Sequence, residues 1–371
     1  MAVIFFAGTL VLAADAPQET AVGETTSTLE KLRANPDDAK AFSAWMSETF
    51  KAISEVMESE PEDAKQMLAD AKQVLEGLKP ESAAGKVQLS RGKRTVAYYE
   101  ELLELSKTPL AELEKQAKAQ PNDLVALRKY GRKVGLEISP IARIEPAQAE
   151  AQLNQAKECL KKLKEAATEK AAQTLMDSLD KSFASIERAI EHGRELATLI
   201  GKPAPQLDAV TWANGSALNS DDLKGKVVLL DFWAIWCGPC IKTFPHLREW
   251  QEKYADKGLV IIGLTRYYNY VWNEADKRPR RGKENEDVSH EDELEMLARF
   301  AEFHRLKHRF AIQTEDHSVA DDYFVKGIPQ AVVIDRQGIV RLVRVGSGSK
   351  NAQALGDMIE KLVNEKPVAA K

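Results

Sequence analysis

A chain of 371 residues is too long for one ordinary compact domain and suits two or three. With 44% apolar residues it can fill packed cores, which excludes a mainly disordered chain, and a formal charge of −5 gives no basic field for a nucleic-acid partner. Its cysteines, Cys159, Cys237 and Cys240, are too few and too clustered for a disulfide-stapled scaffold, and two of them form a CxxC suited to redox chemistry.

Residues 1–14 are almost entirely apolar, and a polar run over residues 15–28 follows. Fourteen residues are too short to cross a bilayer as a helix but match the apolar core of a signal peptide. Small residues at Ala14 and Ala16 place cleavage after Ala16, so residues 1–16 are read as a signal peptide and the protein as exported to the periplasm or cell envelope. No Lys or Arg precedes the apolar run, which leaves open an anchor cut short at its start.

From residue 25 to residue 200 Ala, Leu, Lys, Glu and Gln dominate at helical spacing, and an all-helical domain is expected. It carries signs of an internal duplication. Asn35-Pro36-Asp37-Asp38 returns as Gln120-Pro121-Asn122-Asp123, and Glu60-Pro61 returns as Glu145-Pro146. The same offset carries Leu68 onto Leu153, Leu75 onto Leu160 and Leu78 onto Leu163. Pro61 and Pro146 sit where they would open helices, since the first turn needs no N–H from them. Two copies of a helical module suit a protein-docking or spacing element, and equally a bundle that only enlarges the protein. Cys159 falls opposite Val74 and is read as a small core residue.

Residues 201–366 change character to short β-rich runs alternating with helical patterns, the signature of an α/β domain. Val227–Phe232 and Leu259–Leu264 read as strands buried on both faces. Gln330–Ile334 and Ile339–Val345 are joined across Asp335-Arg336-Gln337-Gly338 as a hairpin, and Ala352–Val363 closes the domain as a helix. Between them, residues 266–292 read as an insertion, first aromatic (Tyr267, Tyr268, Tyr270, Trp272) and then a charged, solvated loop over residues 274–287. The aromatic cluster suits a substrate-facing lip and local core equally well.

Trp236-Cys237-Gly238-Pro239-Cys240 follows a buried strand and precedes a helical pattern over residues 241–254. A helix N-terminus favours a thiolate at Cys237 and lowers its pKa. The spacing brings Cys240 within one turn, close enough to close a disulfide. Cys237 would attack a substrate disulfide and Cys240 would resolve the mixed disulfide, with no cofactor beyond the redox-active pair itself. A CxxC is also half of a zinc site, but no second CxxC or close His pair supplies the other ligands, and no metal site is expected.

Gly201-Lys202-Pro203-Ala204-Pro205, Asn214-Gly215, Leu223-Lys224-Gly225-Lys226-Val227-Val228 and Asp231-Phe232-Trp233-Ala234 running into WCGPC together resemble the TlpA/ResA-like branch of thioredoxin-fold proteins. The resemblance covers residues 200–363 and does not extend to the helical half. It implies a two-domain chain, all-α then α/β thioredoxin-like, acting as a thiol-disulfide oxidoreductase on protein disulfides or dithiols. It also implies that Gly327-Ile328-Pro329 carries a cis proline offering backbone groups to a substrate strand. Asp231 would be the buried acid that takes the Cys240 proton, Trp233 and Trp236 would pack around the disulfide, and Pro245 would kink the active-site helix.

Many ResA-like proteins carry an acid three residues after the second cysteine; here Thr243 stands there. The Gly-Pro spacer matches that of thioredoxin, a reductant, so a reductase is expected, re-reduced by a thiol electron donor that is membrane-bound or a second thiol protein. Two rivals remain at this stage, an interaction scaffold with a thioredoxin-like module and a peroxiredoxin-like peroxidase. The second lacks the Thr three residues before its cysteine, where Ala234 stands. Of the six histidines, His246 on the active-site helix is placed to modulate the thiolate. His304 and His308 are four apart on an expected helix, and the group reads best as surface residues.

Overall fold

The structure, a computed structural model, describes residues 28–57, 59–207, 210–283, 288–313 and 318–365. The segment read as a signal peptide lies outside the described residues. Among these, no helix is long and apolar enough to cross a membrane. The chain divides into two compact units, Met1–Gln120 and Pro121–Lys371.

The first unit is helical: α1 (Ala39–Val56), α2 (Pro61–Gly77), α3 (Ala83–Lys107) and α4 (Leu110–Ala119) follow a helical stretch over residues 28–34. Leu32, Phe42, Trp45, Ile53, Leu68, Leu75 and Val96 meet in its core. Asp38 caps α1, its carboxylate accepting from the amides of Lys40 and Ala41, and Pro61 opens α2. Asp37 reaches across to accept from the amides of Glu81 at 2.9 Å and Ser82 at 3.1 Å, tying the entry of α1 to that of α3.

The second unit begins with three more helices, α5 (Leu124–Ile138), α6 (Pro146–Ala166) and α7 (Lys170–Ala197). Their caps follow the sequence correspondence. Asp123 accepts from the amides of Val125 and Ala126, Pro146 opens α6, and Asn122 Oδ1 accepts from the amides of Thr168 at 3.1 Å and Glu169 at 3.0 Å. Side-chain acceptors at such positions each contribute about 1 kcal/mol by pairing amides that lack helical partners. Cys159 is buried on α6.

The rest of the unit is a mixed six-stranded sheet in the order β1-β6-β3-β2-β7-β8. Its strands are β1 (Val210–Ala213), β2 (Val227–Phe232), β3 (Leu259–Arg266), β6 (Arg309–Gln313), β7 (Gln330–Ile334) and β8 (Val340–Val345). β2 pairs parallel with β3 and β3 with β6; β1, β7 and β8 add antiparallel. Every residue of the central β2 is buried, and its alternation separates two layers. Val227 and Leu229 face a layer with the cysteine pair and the helices α10 (Phe244–Tyr254), α11 (His290–Phe303) and α13 (Ser349–Asn364). Val228, Leu230 and Phe232 face the other, where Leu196 and Leu199 from the end of α7 and its exit pack with Tyr323 and Val343. The end of α7 is thus built into the core of the sheet. Two short helices, α8 (Ser220–Leu223) and α12 (Val319–Asp322), cross between strands, and α9 (Gly238–Ile241) carries the CxxC.

Three sequence expectations are corrected. The helix over residues 241–254 is two helices, α9 and α10, interrupted at Lys242 and Thr243, with Pro245 in the first turn of α10 where its missing N–H costs nothing. Part of the expected charged loop is a strand: β4 (Tyr270–Asn273) and β5 (Arg278–Arg281) pair as an antiparallel hairpin, and residues 284–287 of that loop lie outside the described residues. His304 and His308 do not share a helix, because α11 ends at Phe303, and both His308 and His192 are buried rather than on the surface.

Candidate active site

β2 delivers the chain into Trp233-Ala234-Ile235-Trp236 and then to Cys237, which caps α9. Cys237 and Cys240 are joined in a disulfide, so the structure is that of the oxidised form. Cys237 retains 3% exposure and Cys240 none. The Cys240 amide points at Cys237 Sγ at 3.2 Å, an N–H placed to stabilise negative charge on that sulfur when the bond opens. Thr243 donates its hydroxyl to the Cys240 carbonyl at 2.7 Å and fixes the turn after the pair.

Asp231 sits on the disulfide-facing side of β2, held in register between Gly263 and Ala331. It is fully buried, and its Oδ2 has no partner among the described residues. Burial without a cation pushes its carboxyl up to about 7, so it gains and loses a proton near neutral pH. It lines a cavity of about 20 Å³ with Thr243, His246, Trp250, Pro329 and Ser347, room for about one water. His246 faces this cavity rather than open solvent alone, its ring stacked on Trp250 at 5.8 Å.

The Ile328–Pro329 bond is cis. Pro329 has no N–H, and its carbonyl accepts from the Gly346 amide at 2.8 Å. The neighbouring backbone groups of Ile328 have no partner among the described residues.

The two tryptophans part company. Trp233 is buried, stacked on Phe300 at 5.5 Å and edged by Phe244 and Phe310. A Cβ on Gly263 would come within 2.8 Å of its Nε1, so the adjacent strand must carry glycine there. Trp236, beside Cys237 in the chain, is 54% exposed, and its ring meets that of Tyr268 edge-on at 5.7 Å. Arg266 lies over the other side of the hairpin entry, 5.0 Å from the Tyr268 ring.

Sequence reasoning missed what holds Tyr268 there. Glu293, buried in the first turn of α11, accepts from three successive amides, Tyr268 at 2.9 Å, Asn269 at 2.9 Å and Tyr270 at 3.1 Å. The carboxylate thereby docks the aromatic hairpin beside the cysteine pair. Charge-assisted bonds of this kind contribute about 1.5–3 kcal/mol each, and burial leaves no water to replace them. Glu293→Gln, which keeps the shape but turns an amide NH₂ toward amide donors, is expected to lower unfolding free energy by roughly 2–3 kcal/mol in urea titrations. Stability equal to wild type would mean that the hairpin is held by its aromatic packing alone.

The comparisons with known proteins fall on this half of the chain. The Redoxin family profile matches residues 199–359. The thiol-disulfide oxidoreductase ResA of Bacillus cereus is 32% identical over 152 residues, 41% of this chain and 72% of that protein. The thioredoxin-like protein YneN of Bacillus subtilis is 28% identical over 157 residues, 42% of this chain and 78% of that protein. Among solved structures, a putative thiol:disulfide interchange protein DsbE from Chlorobium tepidum is 27% identical, covering 44% of this chain and 98% of that one, with a TM-score of 0.33.

Proposed function

We propose that this chain, which belongs through its C-terminal half to the ResA-like thiol-disulfide oxidoreductases, is an exported reductase of protein disulfides that works through Cys237 and Cys240. The observation that carries the assignment of roles is the asymmetry of the pair: both are buried, but Cys237 retains 3% exposure and receives the Cys240 amide at its Sγ, while Cys240 retains none. In the reduced enzyme the Cys237 thiolate attacks one sulfur of a substrate disulfide. A Cys237–substrate bond forms, the substrate S–S bond breaks, and the other substrate sulfur leaves as a thiolate. Cys240, giving its proton to Asp231, then attacks Cys237 Sγ, expels the second substrate thiolate and closes the enzyme disulfide. Two electrons have passed to the substrate, and a dithiol donor, soluble or membrane-bound, returns them.

Ile328 supplies the backbone groups that align the substrate strand, with Pro329 fixing their direction, and Trp236 and Tyr268 wall the approach to Cys237. Export rests on the signal-like character of residues 1–16, and the matched caps of the two helical triplets support reading the helical half as two copies of one docking module.

The direction of electron flow is tested by equilibrating the Cys237–Cys240 pair against glutathione or dithiothreitol buffers. A potential of about −270 mV is expected for a reductase with a thioredoxin-type spacer. A value of about −120 mV would make the protein an oxidant of substrate thiols and reverse the assignment.

A further inference from the structure

The segment Tyr323–Ile328, which leads into the cis Pro329, is gripped by the helical part of its own unit. Phe324 has φ 50°, in the left-handed region that a bulky side chain disfavours, so its backbone needs outside support. That support comes from α7. His192, buried, places Nε2 2.7 Å from the Phe324 carbonyl, while its Nδ1 receives a hydrogen bond from Arg143 Nε at 3.3 Å. A guanidinium can only donate, so Nδ1 is the acceptor, Nε2 carries the proton, and the ring donates to Phe324. One turn further along α7, Glu195 pairs with Lys326.

The same short segment is held from the sheet side. Gln330 Nε2 donates to the Tyr323 carbonyl at 2.8 Å, and the Tyr323 hydroxyl donates to the Pro205 carbonyl at 2.8 Å. α7 itself is seated closely: a Cβ on Gly193 would stand 2.6 Å from the Ala142 carbonyl, beside the residue that orients His192. Burial holds the His192 pKa below its usual value, while the Phe324 carbonyl and Glu195 oppose the shift and Arg143 and Lys326 add to it. The neutral ring is therefore the form present near pH 7, as the Arg143 bond requires.

We propose that α7 is a positioning clamp for the active-site loop: His192, oriented by Arg143, and Glu195, through Lys326, hold the stretch that sets Ile328 for substrate. This rests on the reading that Ile328 receives the substrate backbone. It assigns the helical region next to the sheet a part in substrate engagement, in a helix that precedes the residues 199–359 matched by the Redoxin profile. His192 and Glu195 are positioning residues, since neither touches a reacting atom.

The test uses the full chain and two probes, insulin as a protein disulfide and 5,5′-dithiobis(2-nitrobenzoic acid) as a small one that needs no strand alignment. His192→Leu is expected to raise KM for insulin about tenfold, the effect of losing one buried hydrogen bond that fixes the loop. Its kcat, its rate with the small disulfide and its reduction potential should stay within about twofold of wild type. His192→Gln, whose amide can still donate to the Phe324 carbonyl, should restore most of the KM. Lys326→Ala removes the exposed part of the grip without disturbing the buried ring, and is expected to raise the same KM about threefold. An unchanged KM in both His192→Leu and Lys326→Ala overturns the clamp. So does a parallel loss on both probes, or a Gln variant as impaired as Leu. If wild type fails on both probes, the oxidoreductase reading falls instead, and the clamp falls with it.

Discussion

Cys237→Ser is expected to lower the rate of disulfide exchange by at least roughly 10³-fold, because Cys237 is the sulfur of the pair that retains any exposure. Cys240→Ser should behave differently. Its Cys237 remains able to attack, the Cys240-position amide still faces Sγ, and only the resolving step is missing. The variant should therefore accumulate a covalent mixed disulfide with its protein substrate, visible on a non-reducing gel and released by dithiothreitol. Cys237→Ser should accumulate none. The reverse pattern, trapping by Cys237→Ser, would exchange the two roles. Both sulfurs lie in the core layer with Trp233 and Phe244, so each substitution buries a hydroxyl at a cost of about 1–3 kcal/mol. Unfolding midpoints taken alongside separate that cost from the chemistry, because it falls on both variants and cannot produce trapping in one alone.

The parts of this architecture that could be read from sequence are those fixed by local pattern. β2 announces itself as an uninterrupted apolar run because both its faces are covered. The β7–β8 hairpin is marked by Gly338, whose φ of 77° closes the turn after Asp335. The CxxC and the buried acid six residues before it are likewise a local signature. What sequence hid are interactions whose partners lie far along the chain. Glu293 stands in the acidic first turn of a helix, where carboxylates ordinarily face solvent, and nothing local tells it from Glu291. Its role depends on amides 23–25 residues earlier. His192 bonds a carbonyl 132 residues away, so no spacing argument could find it. The hairpin was obscured by composition: Arg278-Pro279-Arg280-Arg281 has little strand preference of its own. It forms because β4 offers a partner edge, and Trp272 on that strand packs against Phe303 of α11.

Asp231→Asn is expected to stabilise the oxidised protein and slow it, and the two effects share one physical cause. Burial raises the Asp231 carboxyl from 3.8 to about 7 with no compensating cation. Below pH 4 the folded and unfolded chains both carry the proton and the group contributes nothing to pH dependence. Between about 4 and 7 the unfolded chain releases the proton while the folded chain retains it, so stability falls as pH rises. Above about 7 the full penalty is present, roughly 4 kcal/mol at 1.36 kcal/mol for each pH unit separating the folded and unfolded values. An Asn of the same shape never ionises. The variant should therefore lose this downward slope between pH 4 and 7 and unfold at higher denaturant than wild type at pH 8. In the proposed mechanism the same destabilising carboxylate is the base that accepts the Cys240 proton. Without it, resolution of the mixed disulfide should slow by roughly 10²-fold at pH 7, and the wild-type rise in rate through its pKa should flatten. A variant as fast as wild type would show that Asp231 is not the proton acceptor. Equal slopes in the two stability profiles would show that the folded state does not bear the cost of burying this charge.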